Sequence, residues 1–184
     1  GHEFVHLERL GDVVIRTECH ALAHALEVGL AGAEIGDLRE HNVEEAAGLG
    51  VPFVTAWAGL ENSGVGKDCR LLVVGAAGGV GSAAVTLARW LGADVTGAVR
   101  KPGQLAAIEA SGARSLLLPE GSSLEEATRA QLGQGYDVVF DASGERLAES
   151  IVLLAPFGRS VVIVRYGDGK VNVPIRDLYR RGAS

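Results

Sequence analysis

Between Arg70 and Arg89 the sequence reads RLLVVGAAGGVGSAAVTLAR, and its chemistry lies in what the middle leaves out. From Gly75 to Gly81 there are four glycines, two alanines and one valine, so side chains are nearly absent. Leu71 to Val74 are continuously apolar, as in a parallel strand covered on both faces. From Val80 onward Ala84, Leu87, Ala88 and Leu91 recur at helical spacing. A helix opening from such a turn aims its unpaired N–H groups and positive dipole end at whatever lies above it. A phosphate or pyrophosphate is the natural occupant. Dinucleotide binding is therefore predicted, with the backbone of Gly78, Gly79 and Val80 approaching the pyrophosphate. The spacing G-x-G-x-x-G is met except at its first position, where Ala76 stands. Glycine-rich turns of this kind also arise where a helix only packs closely on a strand.

Other residues fall where a ligand over the carboxyl ends of the strands would reach them. After the next apolar run, Asp94 to Val99, come Arg100 and Lys101. A site for an unphosphorylated ribose places Asp or Glu there, whereas a 2′-phosphate calls for cations, and an Arg fork matches phosphate bidentately. NADP(H) is the cofactor this charge pattern predicts; the alternative is a pair of solvated loop cations. Ala142-Ser143-Gly144 would form a small loop admitting a ribose, with Asp141 before it capping the following helix. Tyr166, in the segment Val164 to Gly167, would lie near the nicotinamide, stacking on its ring or shielding an edge. Cys19, His20 and His24 superficially resemble a metal site, but no further close Cys/His pair completes four ligands, and no metal is expected.

The elements that must position these residues alternate regularly. Asn42 caps a helix, with Glu45 three residues on, running through Leu60, bent near Pro52 and stopped by Gly64. Strands are expected at Leu71–Val74, Asp94–Val99, Ser115–Leu118, Tyr136–Asp141 and Arg159–Val164, with a short sixth at Val171–Val173. Helices are expected from Val80, from Pro102 to Ala110 closed by Gly112, from Ser122 and Ser123 to about Leu132, and from Glu145 to Leu154. Such alternation specifies an α/β fold, a Rossmann-type doubly wound parallel sheet with right-handed crossovers. Residues 1–41 are least legible: Gly11–Arg16 reads as a short strand, and Cys19–Val28 as either helix or strand.

The chain has 184 residues, 47% hydrophobic and 22% charged, with a net charge of −6, an acidic balance that argues against nucleic acid as a partner. Leu71 to Ala88 carries no charge, but its glycines make a continuous membrane helix costly, and no membrane association is expected. Two cysteines make no disulfide framework, and the N-terminal residues lack an apolar leader, so a cytoplasmic protein is expected.

From about Asn42 onward the sequence resembles the cofactor-binding domain of the medium-chain dehydrogenase/reductase superfamily, closest to its zinc-independent, quinone-oxidoreductase-like branch. The resemblance is carried by Glu44 to Ala47, Thr55 to Trp57, Val74 to Gly81, Val138 to Gly144 and Leu153 to Arg159. It implies hydride transfer from NADPH to a quinone, enone or enoyl small-molecule substrate, a place for Thr55 beside the nicotinamide, and a homodimer. Family members begin with a GroES-like catalytic domain. Only Gly11 to Val14 and Ala21 to Val28 resemble its last pieces, so residues 1–41 are expected to be a remnant of it and 42–184 the dinucleotide-binding domain, weakly active alone. Gly1-His2-Glu3 is similar to a motif of the zinc-dependent branch. The family's lysine and tyrosine contacts to a 2′-phosphate have no counterpart beside Gln104 and Pro119, which leaves Arg100 and Lys101. A non-catalytic dinucleotide-binding module and a zinc-dependent alcohol dehydrogenase are the competing readings.

Overall fold

The computed structural model describes residues 43–129, 135–163 and 173–183. Cys19, His20, His24, Arg165, Tyr166 and the expected strand and remnant elements of residues 1–41 lie outside them, as does most of Val171–Val173.

The apolar run before the glycine turn forms β1 (Arg70–Val74), the central strand of a five-stranded parallel sheet. Its residues alternate between two cores. Leu71 and Val73 face a cluster built with Ala56, Leu60, Leu87 and Ile108. Leu72 and Val74 face a second cluster built with Leu116, Leu124 and Leu153. Burial on both faces is why the strand carries no polar alternation. β2 (Asp94–Val99), β3 (Arg114–Leu117), β4 (Tyr136–Asp141) and β5 (Leu154–Val162) complete the order β3-β2-β1-β4-β5. The chain thus steps outward through β2 and β3, then returns to the other side of β1. That reversal between β1 and β4 is the switch point at which doubly wound sheets open a crevice.

Helices cover both faces. α1 (Val43–Asn62), α2 (Gly79–Trp90) and α3 (Leu105–Ala110) supply the first core, and α4 (Leu124–Thr128) and α5 (Leu147–Leu153) the second. α1 continues through Pro52 to Asn62 and ends as Gly64 takes a left-handed φ of 69°. A short 3-10 turn, Pro102–Gln104, leads into α3. Ser123 caps α4 by accepting from the Glu126 N–H at 3.3 Å, as its spacing predicts.

Three expectations need correction. β5 begins at Leu154, five residues before the expected Arg159, because it opens with a bulge. Tyr136 pairs with Leu154 and Val138 already with Arg159, so the intervening residues of β5 loop out, with Phe157 at a φ of 63°. α5 starts at Leu147 rather than Glu145, since the preceding residues are held in a loop by Asp141. A helix not expected from the sequence, α6 (Ile175–Arg181), follows Pro174, carries Arg180 and Arg181 in its last turn and ends at left-handed Gly182. The Arg181 guanidinium donates to the Leu154 carbonyl and ties α6 to β5.

At the amino ends of the strands Arg70 and Asp137 join β1 to β4. The Arg70 backbone N–H and Nε donate to Asp137 Oδ2 at 2.9 and 3.1 Å, and Nη2 donates to Oδ1 at 2.7 Å. Hydrogen bonding from Arg70 holds the Asp137 carboxyl below its ordinary value of 3.8. A depressed carboxyl stabilises the fold above its unfolded-state value and loses that contribution as pH falls through the folded-state value. Asp137→Asn is expected to lower stability at neutral pH by under about 1 kcal/mol, because the pair is part-exposed and screened. The difference from the parent should close as pH falls through the lowered folded-state value of the carboxyl, read by urea unfolding across pH. A gap that persists there would show that the charge is not its source.

Candidate functional site

The glycine turn stands over the carboxyl end of β1. Gly75 leaves the strand at a φ of 76°, the left-handed region open to glycine. The Ala76 N–H then donates to the Ala98 carbonyl of β2 at 3.0 Å, which buries Ala76 completely between the strands. α2 begins at Gly79 with Gly78 as its cap residue, no side chain caps it, and its first turn contains no acidic residue. The first helical bond runs from the Ser82 N–H to the Gly78 carbonyl at 2.8 Å. The N–H groups of Gly79, Val80 and Gly81 are therefore left to solvent or ligand, where the helix dipole favours negative charge.

Around this turn lies a cleft of about 460 Å³. β1 and its turn contribute Val74, Gly75, Ala77 and Gly78; β2 and the segment after it contribute Ala98, Val99, Arg100 and Gln104. Leu118 comes from beyond β3, and Ala142, Ser143, Glu145 and Arg146 from beyond β4. Four strand ends and the uncapped helix thus converge, as a ligand at the switch point requires. No cysteine or histidine is among the lining residues. Cys69 lies at the opposite end of the sheet, and burial pushes its thiol up, away from the thiolate.

The wall beyond β4 is fastened by one buried carboxylate. Asp141 Oδ1 accepts from the N–H groups of Ser143 and Gly144, at 2.9 and 3.0 Å, and from the Ser143 hydroxyl at 2.6 Å. Its Oδ2 accepts from the Arg146 N–H at 2.8 Å. Asp141 therefore ties down the loop ahead of α5 and reaches only the residue preceding that helix, so its role is broader than the cap expected of it.

Of the residues singled out from the sequence, Gly78, Arg100 and Ser143 come together in the cleft. Gly79 and Val80 open α2 at its edge, and Gly144 belongs to the loop pinned by Asp141. Lys101 is exposed beside Arg100, and neither makes an ion pair among the described residues. Ala76 acts through the strand bond rather than at the cleft surface. Thr55 sits half-buried in α1 and does not line the cleft. Sequence reasoning missed Leu118, Glu145 and Arg146. Arg146 had no local signal, since its place is set by a bond to the Ser122 carbonyl on another loop.

A parallel sheet with this turn and cleft defines a Rossmann-type nucleotide-binding domain. Residues 79–184 match the family described as zinc-binding dehydrogenase, and the chain belongs to that family, as the cofactor-binding domain of the medium-chain dehydrogenase/reductase superfamily. Among the described residues no three His, Cys, Asp or Glu side chains gather as a metal site. Over 119 residues the chain is 40% identical to the spectinabilin polyketide synthase system protein NorB of Streptomyces orinoci, covering 64% of this chain and 5% of that one. The quinone oxidoreductase of Thermus thermophilus, solved also with NADPH, superposes with a TM-score of 0.66 at 34% identity, over 78% of this chain and 45% of that one. The enoyl reductase CurK superposes with a TM-score of 0.63 at 29% identity, over 79% of this chain and 44% of that one. The chain therefore spans less than half the length of these solved relatives and a small part of NorB. Among the described residues no helix is long and apolar enough to cross a membrane.

Proposed function

We propose that this oxidoreductase domain binds NADP(H), for hydride transfer to an enoyl, enone or quinone substrate. The observation that carries the cofactor choice is the end of β2: Arg100 enters the cleft there, Lys101 follows, and no carboxylate occupies that strand end. The residues present fit such a group. Free N–H groups of α2 face a cleft that glycines and alanines leave open, and an anion there would complete the helix end. When bound, the nicotinamide supplies the hydride. The chain's own part is to hold the pyrophosphate on the Gly78–Val80 backbone, take the 2′-phosphate on Arg100 and Lys101, and let the ribose pass Ser143 and Gly144. Thr55 and Tyr166 belong to the nicotinamide end in this reading.

The enoyl class is favoured by likeness to CurK, named an enoyl reductase, and to NorB, named a polyketide synthase system protein. Likeness to the Thermus enzyme favours a quinone. The remainder of the reading is a cytoplasmic homodimer acting on a small molecule, with residues 42–184 as the cofactor domain.

Titration of the chain with NADPH and NADH tests the cofactor choice. The Arg100→Ala/Lys101→Ala double variant is expected to weaken NADPH by roughly tenfold or more and leave NADH nearly unchanged. Equal affinities in the parent, or no change in the variant, would defeat the NADP(H) assignment. NADPH bound but never oxidised with an enoyl thioester or quinone, even in the longest protein carrying this domain, would leave a binding module.

A further inference from the structure

We propose that Arg146 is a second cation reading the 2′-phosphate of the adenosine, opposite Arg100, and that Glu149 is the residue positioning it; this rests on the NADP(H) reading above. Arg146 follows β4, yet its Nη1 donates to the Ser122 carbonyl at 2.9 Å, beyond β3. β3 neighbours β2, with Val99 paired to Leu117 and the Leu118 N–H donating to the Val99 carbonyl at 2.8 Å. The guanidinium is thereby drawn across to the β2–β3 end of the cleft, the end from which Arg100 enters.

Its donors are arranged to serve a ligand. Nη1 also donates to Glu149 Oε1 at 2.8 Å, while Nε and Nη2 have no partner among the described residues. The Arg146 side chain is 21% exposed, so these free donors sit in a partly dehydrated cleft wall. Unmatched charged donors in such a place gain more from an anion than exposed ones do. Glu149 is itself fixed, since its Oε2 accepts from the Leu124 N–H at 2.7 Å. With the Arg146 backbone held by Asp141 as well, the side chain is anchored at both ends, and little conformational freedom remains to be lost on binding. Glu145 also lines the cleft, but it is exposed and pairs with neither arginine.

The probes are 2′,5′-ADP and 5′-ADP, which differ only by the 2′-phosphate, together with NADPH and NADH. Arg146→Gln is expected to weaken 2′,5′-ADP and NADPH about tenfold while 5′-ADP and NADH stay within about twofold. Arg146→Lys, which keeps a charge without the fork, should recover part of the loss, and Glu149→Gln should show a smaller loss confined to the same two ligands. Thermal midpoints measured alongside separate binding from folding. An unchanged NADPH-to-NADH ratio in Arg146→Gln, or equal losses for all four ligands with a lowered midpoint, makes Arg146 a purely structural link and overturns the proposal. NADPH binding by the parent in that case leaves the cofactor reading standing. Failure of the parent to bind either dinucleotide overturns both.

Discussion

Gly81→Ala is expected to destabilise the protein by about 3 kcal/mol and to abolish nucleotide binding at the glycine turn. A Cβ at Gly81 would lie 2.1 Å from the Gly75 carbonyl oxygen, 2.8 Å from its carbon and 2.9 Å from Ala76 Cα. All three are backbone atoms, so nothing can rotate aside; α2 must lift from the turn. The higher helix propensity of alanine returns at most about 1 kcal/mol, less than the strain. Lifting α2 also moves the N–H groups of Gly79 and Val80 from the place where a pyrophosphate would meet them. Gly78→Ala is the comparison, because its Cβ would approach only the Gly75 carbonyl oxygen, at 3.3 Å, and its φ of −80° suits any residue. Urea unfolding and NADPH titration of both variants decide the matter. A Gly81→Ala protein as stable as the parent would mean that α2 is not seated on the turn as described.

The second large effect belongs to Asp141. Asp141→Ala removes a fully buried carboxylate and leaves the N–H groups of Ser143, Gly144 and Arg146 without their acceptor. A loss of about 3 kcal/mol is expected, since stranded donors cost more than a severed pair. Asp141→Asn should cost roughly half as much, one amide oxygen still accepting while the amide nitrogen cannot. Urea unfolding reads the energy, and amide hydrogen exchange at Ser143, Gly144 and Arg146 reads the place. Protection at those three amides unchanged in the alanine variant would show that some other contact holds the loop.

Much of the fold was legible because local signals agreed with one another. Asp94–Val99 and Tyr136–Asp141 were read with the bounds they have, each being an apolar run closed by a charged residue or a turn. β1 starts one residue earlier than its apolar run because Arg70 pairs with Asp94 of β2, a partner 24 residues on. The bulge of β5 was illegible for a related reason: Pro156, Phe157 and Gly158 carry turn composition, and only the pairing of the flanking Leu154 and Arg159 with β4 makes them part of a strand. α6 was missed although proline, paired arginines and glycine marked its ends; its short length gave periodicity little to act on. In the site, Arg100 and Ser143 could be placed because they follow strands directly. Arg146 could not, because what defines it is a bond to Ser122, 24 residues back on another loop.

The strand order has a kinetic consequence. β1, β2 and β3 follow one another and can pair as soon as they exist, whereas β4 must return to β1 across more than sixty residues of chain. Such distant pairing is the slow part of building a parallel sheet. The early half holds the glycine turn and Arg100, and the late half brings Asp141, Ser143 and Arg146. The cleft is therefore the seam between an early and a late folding unit, and neither half contains it alone. A nucleotide seated there spans the seam and must slow the opening of one half from the other, so that exchange of the β4 amides, more than those of β2, reports its presence.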